Sequence, residues 1–153
     1  MKFNNQLRKL CLDESKHYVL HRSESRQTEF GEVFTPTELV IQMLEHLDDS
    51  VWLDGKTFLE PTCGNGQFLA PVLIAKQYLQ HKATLSTIYG VDFLQDNVDE
   101  CRSRLLKIAG KSDSTIAIVE WNIKQGDGAT FNYEIEFDKT LKEDHMSLFP
   151  NGL

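Results

Sequence analysis

The sequence places one acidic residue at or after the end of each of three predicted strands: Glu60, Asp92 and Asp127. Carboxylates accept hydrogen bonds from hydroxyl, amino and ammonium groups. Ligands of parallel α/β sheets bind at the carboxyl ends of the strands, so we expect these acids to converge on one crevice. Each acid has a structural alternative: a helix N-cap for Asp92, a turn for Asp127 and a loop for Glu60. Their joint occurrence around a glycine loop favours a ligand site.

The glycine loop lies within residues 57–68, which read TFLEPTCGNGQF. A short apolar strand, a loop and a helical pattern follow one another, an order that lets backbone N–H groups face a small polar ligand. A tight turn without a ligand is the alternative. A dinucleotide fingerprint would have Gly or Ala three residues after Gly66, where this chain has Leu69. Since Glu60 also suits an ammonium group better than a pyrophosphate, the loop favours S-adenosylmethionine over NAD.

Strand-like and helical segments alternate along the chain. The strands are predicted at residues 57–60, 87–92 and 115–119, with a fourth strand or edge hairpin at 131–137. Helix-length crossovers between strands are typical of a parallel sheet with right-handed connections. We therefore predict a Rossmann-like α/β fold of three to four strands with flanking helices.

The chain divides into three predicted parts. Residues 1–30 form an N-terminal helix (4–22) and a polar loop, residues 31–137 the α/β domain, and residues 138–153 a tail without a clear element. Pro36 suits the first turn of a helix. The apolar face of that helix is predicted to comprise Leu39, Val40, Met43, Leu44 and Leu47. Two further helices are predicted, one at 67–80 and one from Asp96.

Composition limits the possible partners. The chain has 153 residues and a net charge of −7, and residues 31–153 carry ten Lys or Arg against nineteen Asp or Glu. This acidic segment is a poor DNA-binding surface, because affinity for duplex DNA comes largely from Lys and Arg side chains that neutralise the phosphates. The sequence lacks both an apolar run long enough to span a membrane and a signal-peptide core, which predicts a cytoplasmic protein. Cys11, Cys63 and Cys101 have no metal-type spacing, and we predict reduced thiols and no metal site.

Four motifs in this order resemble those of N6-adenine DNA methyltransferases, in particular the modification subunits and the fused restriction–modification enzymes. Phe34, Thr35 and Pro36, within GEVFTP, are similar to an N-terminal motif that contacts the methionine carboxylate of the cofactor. The D-P-A-C-G-S-G-x-F motif, which wraps the methionine end, is matched by Glu60, Pro61, Thr62, Cys63, Gly64, Asn65, Gly66 and Phe68.

The two remaining motifs contain acids. Asp92, followed by Phe93, matches the acid that holds the ribose hydroxyls beside a residue that packs on adenine. Asp127, followed by Gly128, matches the acid that accepts from the adenine amino group. The resemblance covers roughly residues 28–131. It implies the class I methyltransferase fold and S-adenosylmethionine as the cofactor.

One family motif is missing. The catalytic [Asp/Asn/Ser]-Pro-Pro-[Tyr/Phe/Trp] sequence orients the flipped adenine, and no Pro-Pro pair occurs in the chain. Phe137 and Asp138 are present, but KTLKE follows them. We therefore assign no catalytic residue and expect the isolated chain to be inactive. The remaining strands and any target-recognition domain are expected to lie outside these residues.

Three functional classes remain open from the sequence. The first is part of an enzyme that a catalytic or specificity subunit completes. The second is a non-catalytic protein that sequesters or senses the cofactor, or that interferes with host restriction–modification. The third class is an enzyme whose catalytic group follows Asp138. The edge of the glycine-loop strand is covered either by residues 132–137 or by another chain, as a homodimer or with the missing half, and we favour another chain because 132–137 has only one apolar face. DNA is expected to bind only weakly, or through the partner.

Overall fold

The computed structural model describes residues 1–18, 23–30 and 32–138. Three parallel strands form its sheet, β1 (Phe58–Glu60), β2 (Ile88–Asp92) and β3 (Ile123–Gln125), in the order β1-β2-β3. In this register Glu60 lies opposite Gly90, and Asp92 lies opposite Gln125. All strands therefore end at the same edge of the sheet, and the predicted Rossmann-like α/β architecture is confirmed with three strands.

Seven α-helices surround the sheet in the described part of the chain. They are α1 (Asn5–Ser15), α2 (Glu24–Phe30), α3 (Thr37–Glu45), α4 (Leu69–Tyr78), α5 (Gln95–Ala109), α6 (Asp113–Asn122) and α7 (Tyr133–Glu136). Helix α4 connects β1 to β2, and α5 and α6 connect β2 to β3. Within the described ranges, no helix is both long enough and apolar enough to cross a membrane.

The predicted third strand, residues 115–119, is wrong. These residues lie inside α6, and the strand follows the helix at Ile123–Gln125. A capping box starts this helix: Ser112 Oγ accepts from the Thr115 backbone N–H at 3.2 Å, and Thr115 Oγ1 accepts from the Ser112 N–H at 2.8 Å. The β-branched run is helical because this local cap and packing against α5 outweigh its strand propensity.

The predicted fourth strand at residues 131–137 is also wrong. Asn132 caps the short helix α7 by accepting from the Ile135 N–H at 3.2 Å. Phe131, Tyr133 and Phe137 form one aromatic cluster, and Phe137 packs on Tyr89 of β2 with ring centroids 5.0 Å apart. The alternating aromatic residues therefore pack together in a cluster against β2 and do not form a strand. In the part of the chain that is described, β1 consequently pairs with β2 alone.

The N-terminal segment also departs from the prediction. Helix α1 is shorter than residues 4–22, of which 19–22 lie outside the described residues, and all of the polar segment 23–29 except Ser23 belongs to α2 instead of a loop. Phe3, Leu7 and Cys11 are buried in the same core as the sheet. Helix α4 is two residues shorter at each end than predicted. Apart from Asp138, the predicted tail lies outside the described residues.

A buried ion pair links α1 to the glycine loop. Arg104 of α5 is fully buried and donates from Nε and Nη2 to the two carboxylate oxygens of Glu14, at 2.9 and 2.7 Å. Its Nη1 donates to the carbonyl oxygen of Asn65 at 3.4 Å, and its guanidinium lies 4.4 Å from the Tyr18 ring centroid. Because the paired charges are removed from water, the loss of either partner would leave an uncompensated buried charge.

Candidate functional site

A crevice of about 490 Å³ opens at the carboxyl ends of the strands. This volume lies within the range of small-molecule sites. The crevice is lined by Glu32, Val33, Phe34, Pro61, Thr62, Gly64, Asp92, Phe93, Leu94, Asn97, Asp127, Gly128 and Ala129. The segment before α3, the glycine loop, the start of α5 and the loop after β3 therefore all contribute to it.

The glycine loop is fastened to β2. The Cys63 N–H donates to the carbonyl oxygen of Val91 at 2.8 Å, and the Gly64 N–H donates to Asp92 Oδ2 at 2.8 Å. Gly64 has a φ of +50°, and a Cβ there would lie 2.8 Å from Phe34 Cε1. Glycine is thus required both by the backbone conformation and by the Phe34 ring that packs over the loop. The two motifs that the sequence separates by some 25 residues form one wall of the crevice.

Asp92 accepts hydrogen bonds from the glycine loop and from the start of α5. Besides Gly64, it accepts at Oδ1 from the Leu94 N–H at 3.0 Å and from Asn97 Nδ2 at 3.1 Å. A carboxylate has about four acceptor positions, so these three bonds leave one position for a ligand hydroxyl. The N-cap alternative does not apply, since Leu94 occupies the N-cap position of α5. Phe93, beside Asp92, is 61% exposed at the crevice and presents an aromatic face.

Asp127 lies in the loop after β3 and lines the crevice. Its Oδ1 accepts from the Ala129 N–H at 2.9 Å, so the predicted turn role is present together with the position in the crevice. The neighbouring Gly128 lies against the glycine loop, and a Cβ there would stand 2.1 Å from the carbonyl oxygen of Pro61. The two loops are therefore in close contact within the wall of the crevice.

Glu60 does not line this crevice, which corrects the expected convergence of three acids. It lines a neighbouring groove of about 220 Å³ along the edge of β1 that faces away from β2, where it accepts from Thr62 Oγ1 at 3.2 Å. Burial raises the pKa of its carboxyl above the ordinary value. The crevice also lacks the other predicted site residues, namely Thr35, Pro36, Cys63, Asn65, Gly66 and Phe68. Cys63, for example, turns into the core and contacts the Cys101 thiol.

Two crevice residues, Glu32 and Asn97, escaped the sequence analysis. The Glu32 side chain is only 7% exposed, and its Oε1 accepts from Asn97 Nδ2 at 2.7 Å. Arg26 of α2 donates from Nε and Nη2 to the two oxygens of Glu32, at 2.5 and 3.0 Å, and also pairs with Asp96. The signals were available: Glu32 lies two residues before Phe34 in GEVFTP, and Asn97 lies in the first turn of α5.

The crevice is acidic, with the carboxylates of Glu32, Asp92 and Asp127 in its wall. Arg26 pairs with the first of them. Carboxylates accept from hydroxyl and amino groups and attract cations, and they repel phosphates. The arrangement can therefore hold a small ligand with hydroxyls, amino groups and positive charge, beside the exposed aromatic ring of Phe93.

Comparisons with known proteins agree with this geometry. The N-6 DNA methylase family matches residues 14–146 of the chain. Over 114 residues the chain is 28% identical to the type II methyltransferase M.VspI of Vibrio sp. (strain 343); this region is 74% of the chain and 24% of that relative. The chain thus spans about a quarter of the relative's length. No solved structure matches the chain significantly. The family match extends over most of the sequence, and the chain belongs to the N-6 DNA methylase family.

Proposed function

We propose that the chain binds S-adenosylmethionine in the crevice and serves as the cofactor-binding part of an adenine-N6 DNA methyltransferase. The observation that carries the proposal is the bond between the Gly64 N–H and Asp92 Oδ2, which joins the glycine loop to the strand-end acid at the centre of the crevice. When bound, S-adenosylmethionine supplies an activated methyl group. The cytoplasm, where the cofactor and DNA occur together, is the compartment we propose.

The residues of the crevice suit this cofactor. Asp92 accepts from a ribose hydroxyl, Phe93 packs on the adenine ring and Asp127 accepts from its amino group. The glycine loop, with Phe34 above Gly64, encloses the methionine end. The acidic wall favours a cationic sulfonium and disfavours a pyrophosphate. Leu69 supports the same choice, because it occupies the third-glycine position of a dinucleotide motif and is 2% exposed in the core.

Calorimetry with S-adenosylmethionine and S-adenosylhomocysteine tests the cofactor site. We expect Asp92→Ala to weaken binding by roughly 1.5–3 kcal/mol, the range for hydrogen bonds to a charged group. Asp99→Ala is the matched control, because Asp99 is 62% exposed on α5 and does not line the crevice. A wild-type protein that produces neither heat nor a thermal shift with either ligand would refute the site.

We further propose that a separate polypeptide segment supplies the catalytic motif and the DNA contacts. The chain has no Pro-Pro pair, and its acidic body is unsuited to DNA. Among the described residues, β1 pairs on one side only, and its other edge offers a place for such a segment: Leu59 is 47%, Met43 49% and Leu47 40% exposed around the groove that also contains Glu60. An unpaired strand edge with apolar surroundings favours strand addition. Without that segment, we expect a second copy of the chain to cover the edge.

The second candidate function is a non-catalytic cofactor-binding protein, and the absence of a Pro-Pro pair is consistent with it as well. A methyl-transfer assay distinguishes the two candidates. We expect the isolated chain to transfer no tritium from labelled cofactor to mixed-sequence duplex. Adding a polypeptide that carries an Asn-Pro-Pro-aromatic strand should restore transfer if the chain is an enzyme part. Label in N6-methyladenine with the chain alone, abolished by Gly64→Asp, would contradict the need for a partner.

A further inference from the structure

Arg104 of α5 joins the N-terminal helix to the glycine loop. Its Nε and Nη2 donate to the two carboxylate oxygens of Glu14 on α1, at 2.9 and 2.7 Å. Its Nη1 donates to the backbone carbonyl oxygen of Asn65 at 3.4 Å. Water competes little for these bonds, because the Arg104 side chain is fully buried and that of Glu14 is only 15% exposed. One guanidinium therefore connects a helix that carries none of the four sequence motifs with the loop of the proposed site.

We propose that Arg104 is a positioning residue that holds the glycine loop in place for the methionine end of the cofactor, with Glu14 of α1 as its fixed partner. The inference rests on the proposed cofactor site and adds how the loop of that site is kept in position. Arg104 is buried and does not line the crevice, whereas Gly64 of the loop does. Arg104 therefore acts through the loop and not by contact with the ligand.

The loop lies against α5 at the two residues after Gly64. A Cβ at Gly66 would lie 3.1 Å from Cys101 Sγ and 3.8 Å from Arg104 Cδ, so the buried face of α5 backs the loop. The peptide group between Asn65 and Gly66 is held at both ends. Its N–H donates to the carbonyl oxygen of Cys63 at 2.8 Å, and its carbonyl accepts from Arg104. The orientation of this peptide therefore depends on Arg104.

The side chain of Asn65 does not replace this bond. It is fully buried, and neither its Oδ1 nor its Nδ2 has a hydrogen-bond partner in the described part of the chain. The loop is thus held at this position by its backbone. Arginine presents several N–H donors in a rigid fork, so Arg104 can serve a carboxylate and a carbonyl at the same time.

Glu14 is fixed because α1 is packed into the core. Three apolar residues of the N-terminal segment lie in the same core as the sheet: Phe3, Leu7 and Cys11. The Tyr18 ring lies 4.4 Å from the guanidinium of Arg104. Since packed interiors deform little, the carboxylate of Glu14 determines where Arg104 lies, and Arg104 in turn determines where the Asn65 carbonyl lies.

Loss of this hold should affect the two ends of the ligand differently. The glycine loop encloses the methionine end in the proposed function. Asp92, at the nucleoside end, keeps its bonds from the Leu94 N–H and the Asn97 amide, which belong to the start of α5 and not to the loop. We therefore expect affinity for the methionine end to fall and affinity for the nucleoside to persist.

The test is isothermal titration with S-adenosylhomocysteine and with adenosine, which lacks the amino-acid end. The wild type should prefer S-adenosylhomocysteine by about 10- to 100-fold, as expected for hydrogen bonds to charged groups. Glu14→Leu combined with Arg104→Met replaces the ion pair by apolar side chains, an exchange that buried ion pairs often tolerate. This double variant should reduce the preference by at least about fivefold, while its affinity for adenosine stays within about threefold of wild type.

Arg8→Met combined with Glu45→Leu is the matched control. This ion pair also fastens α1, with Arg8 Nη2 and Glu45 Oε2 at 2.5 Å, and both residues also bond to the backbone of Phe3. The control should leave the preference unchanged. An equal drop in both double variants would overturn the role of Arg104, because it would trace the effect to the attachment of α1 in general.

The remaining outcomes also decide the matter. If the Glu14–Arg104 double variant keeps the preference, or weakens both ligands equally, the positioning role is overturned while the cofactor site stands. A wild type that binds both ligands equally overturns it as well. If the wild type binds neither, the proposed function fails and takes this inference with it. Should the double variant fail to fold, Arg104→Lys should show the same drop, because lysine keeps the charge opposite Glu14 but lacks the fork.

Discussion

Replacing Gly128 by alanine should abolish much of the cofactor affinity while leaving the fold nearly as stable as before. The added Cβ would lie 2.1 Å from the carbonyl oxygen of Pro61, whereas ordinary contacts begin at 3.4 Å. The obstacle is backbone, so no side-chain rotation relieves it. The loop after β3 must therefore move away from the glycine loop by roughly 1 Å, which displaces Asp127 from its place in the crevice wall.

The position of the loop after β3 determines how much Gly128→Ala changes stability and how much it changes affinity. Gly128 lies in a surface loop whose neighbours Asp127 and Ala129 are exposed, so we expect a loss of less than about 1 kcal/mol in the free energy of unfolding. Affinity for S-adenosylhomocysteine should fall by at least about 10-fold, because the displaced loop carries Asp127, whose proposed hydrogen bond to the ligand is worth about 1.5–3 kcal/mol. Isothermal titration measures the affinity, and urea denaturation measures the stability.

Gly110→Ala is the matched control with the opposite pattern. Gly110 follows α5 with a φ of +87°, and a Cβ there would meet nothing within 4 Å. Alanine at this position should lower the free energy of unfolding by about 1 kcal/mol through backbone strain, without changing affinity. A Gly128→Ala protein that binds the ligand as tightly as wild type would refute both the contact between the two loops and the place of this contact in the wall of the binding site.

Three further predictions concern the core and the sheet edge. Glu14→Gln should lower the free energy of unfolding in urea by about 3 kcal/mol, because it leaves Arg104 buried without its counter-charge; a loss as small as that of the exposed Glu120→Gln would contradict this. Burial raises the pKa of the Cys11 thiol to about 12, so its contribution to stability should be complete below pH 9 and decline as the pH rises to 12. Cys11→Ala should flatten that decline in denaturation curves, and an unchanged slope would exclude Cys11 as its source. Leu59→Lys should abolish self-association in light scattering without changing ligand affinity; a wild type that is already a 17.6 kDa monomer at tens of micromolar would reject pairing between copies.

The sequence predicted those parts of the fold and site that depend on local patterns. An apolar stretch followed by glycines determines the turn after β1, and the apolar stretch ending at Asp92 determines the end of β2. Their order, with helix-length crossovers, is enough to predict a parallel sheet whose strand ends share one edge. The placement of Asp92, Phe93 and Asp127 in the crevice follows from that order.

Tertiary structure decided what local patterns leave ambiguous. Residues 115–119 and 131–137 have strand-like composition, but a capping box places the first segment in α6, and an aromatic cluster accompanies the short helix α7 within the second. Glu60 and Asp92 both end strands. The packing of α3 and α4 around β1 nevertheless places Glu60 in the neighbouring groove and not in the crevice. The bond between Asn97 and Glu32 joins residues 65 positions apart. Such contacts depend on how the chain returns on itself, which no periodicity within one segment records.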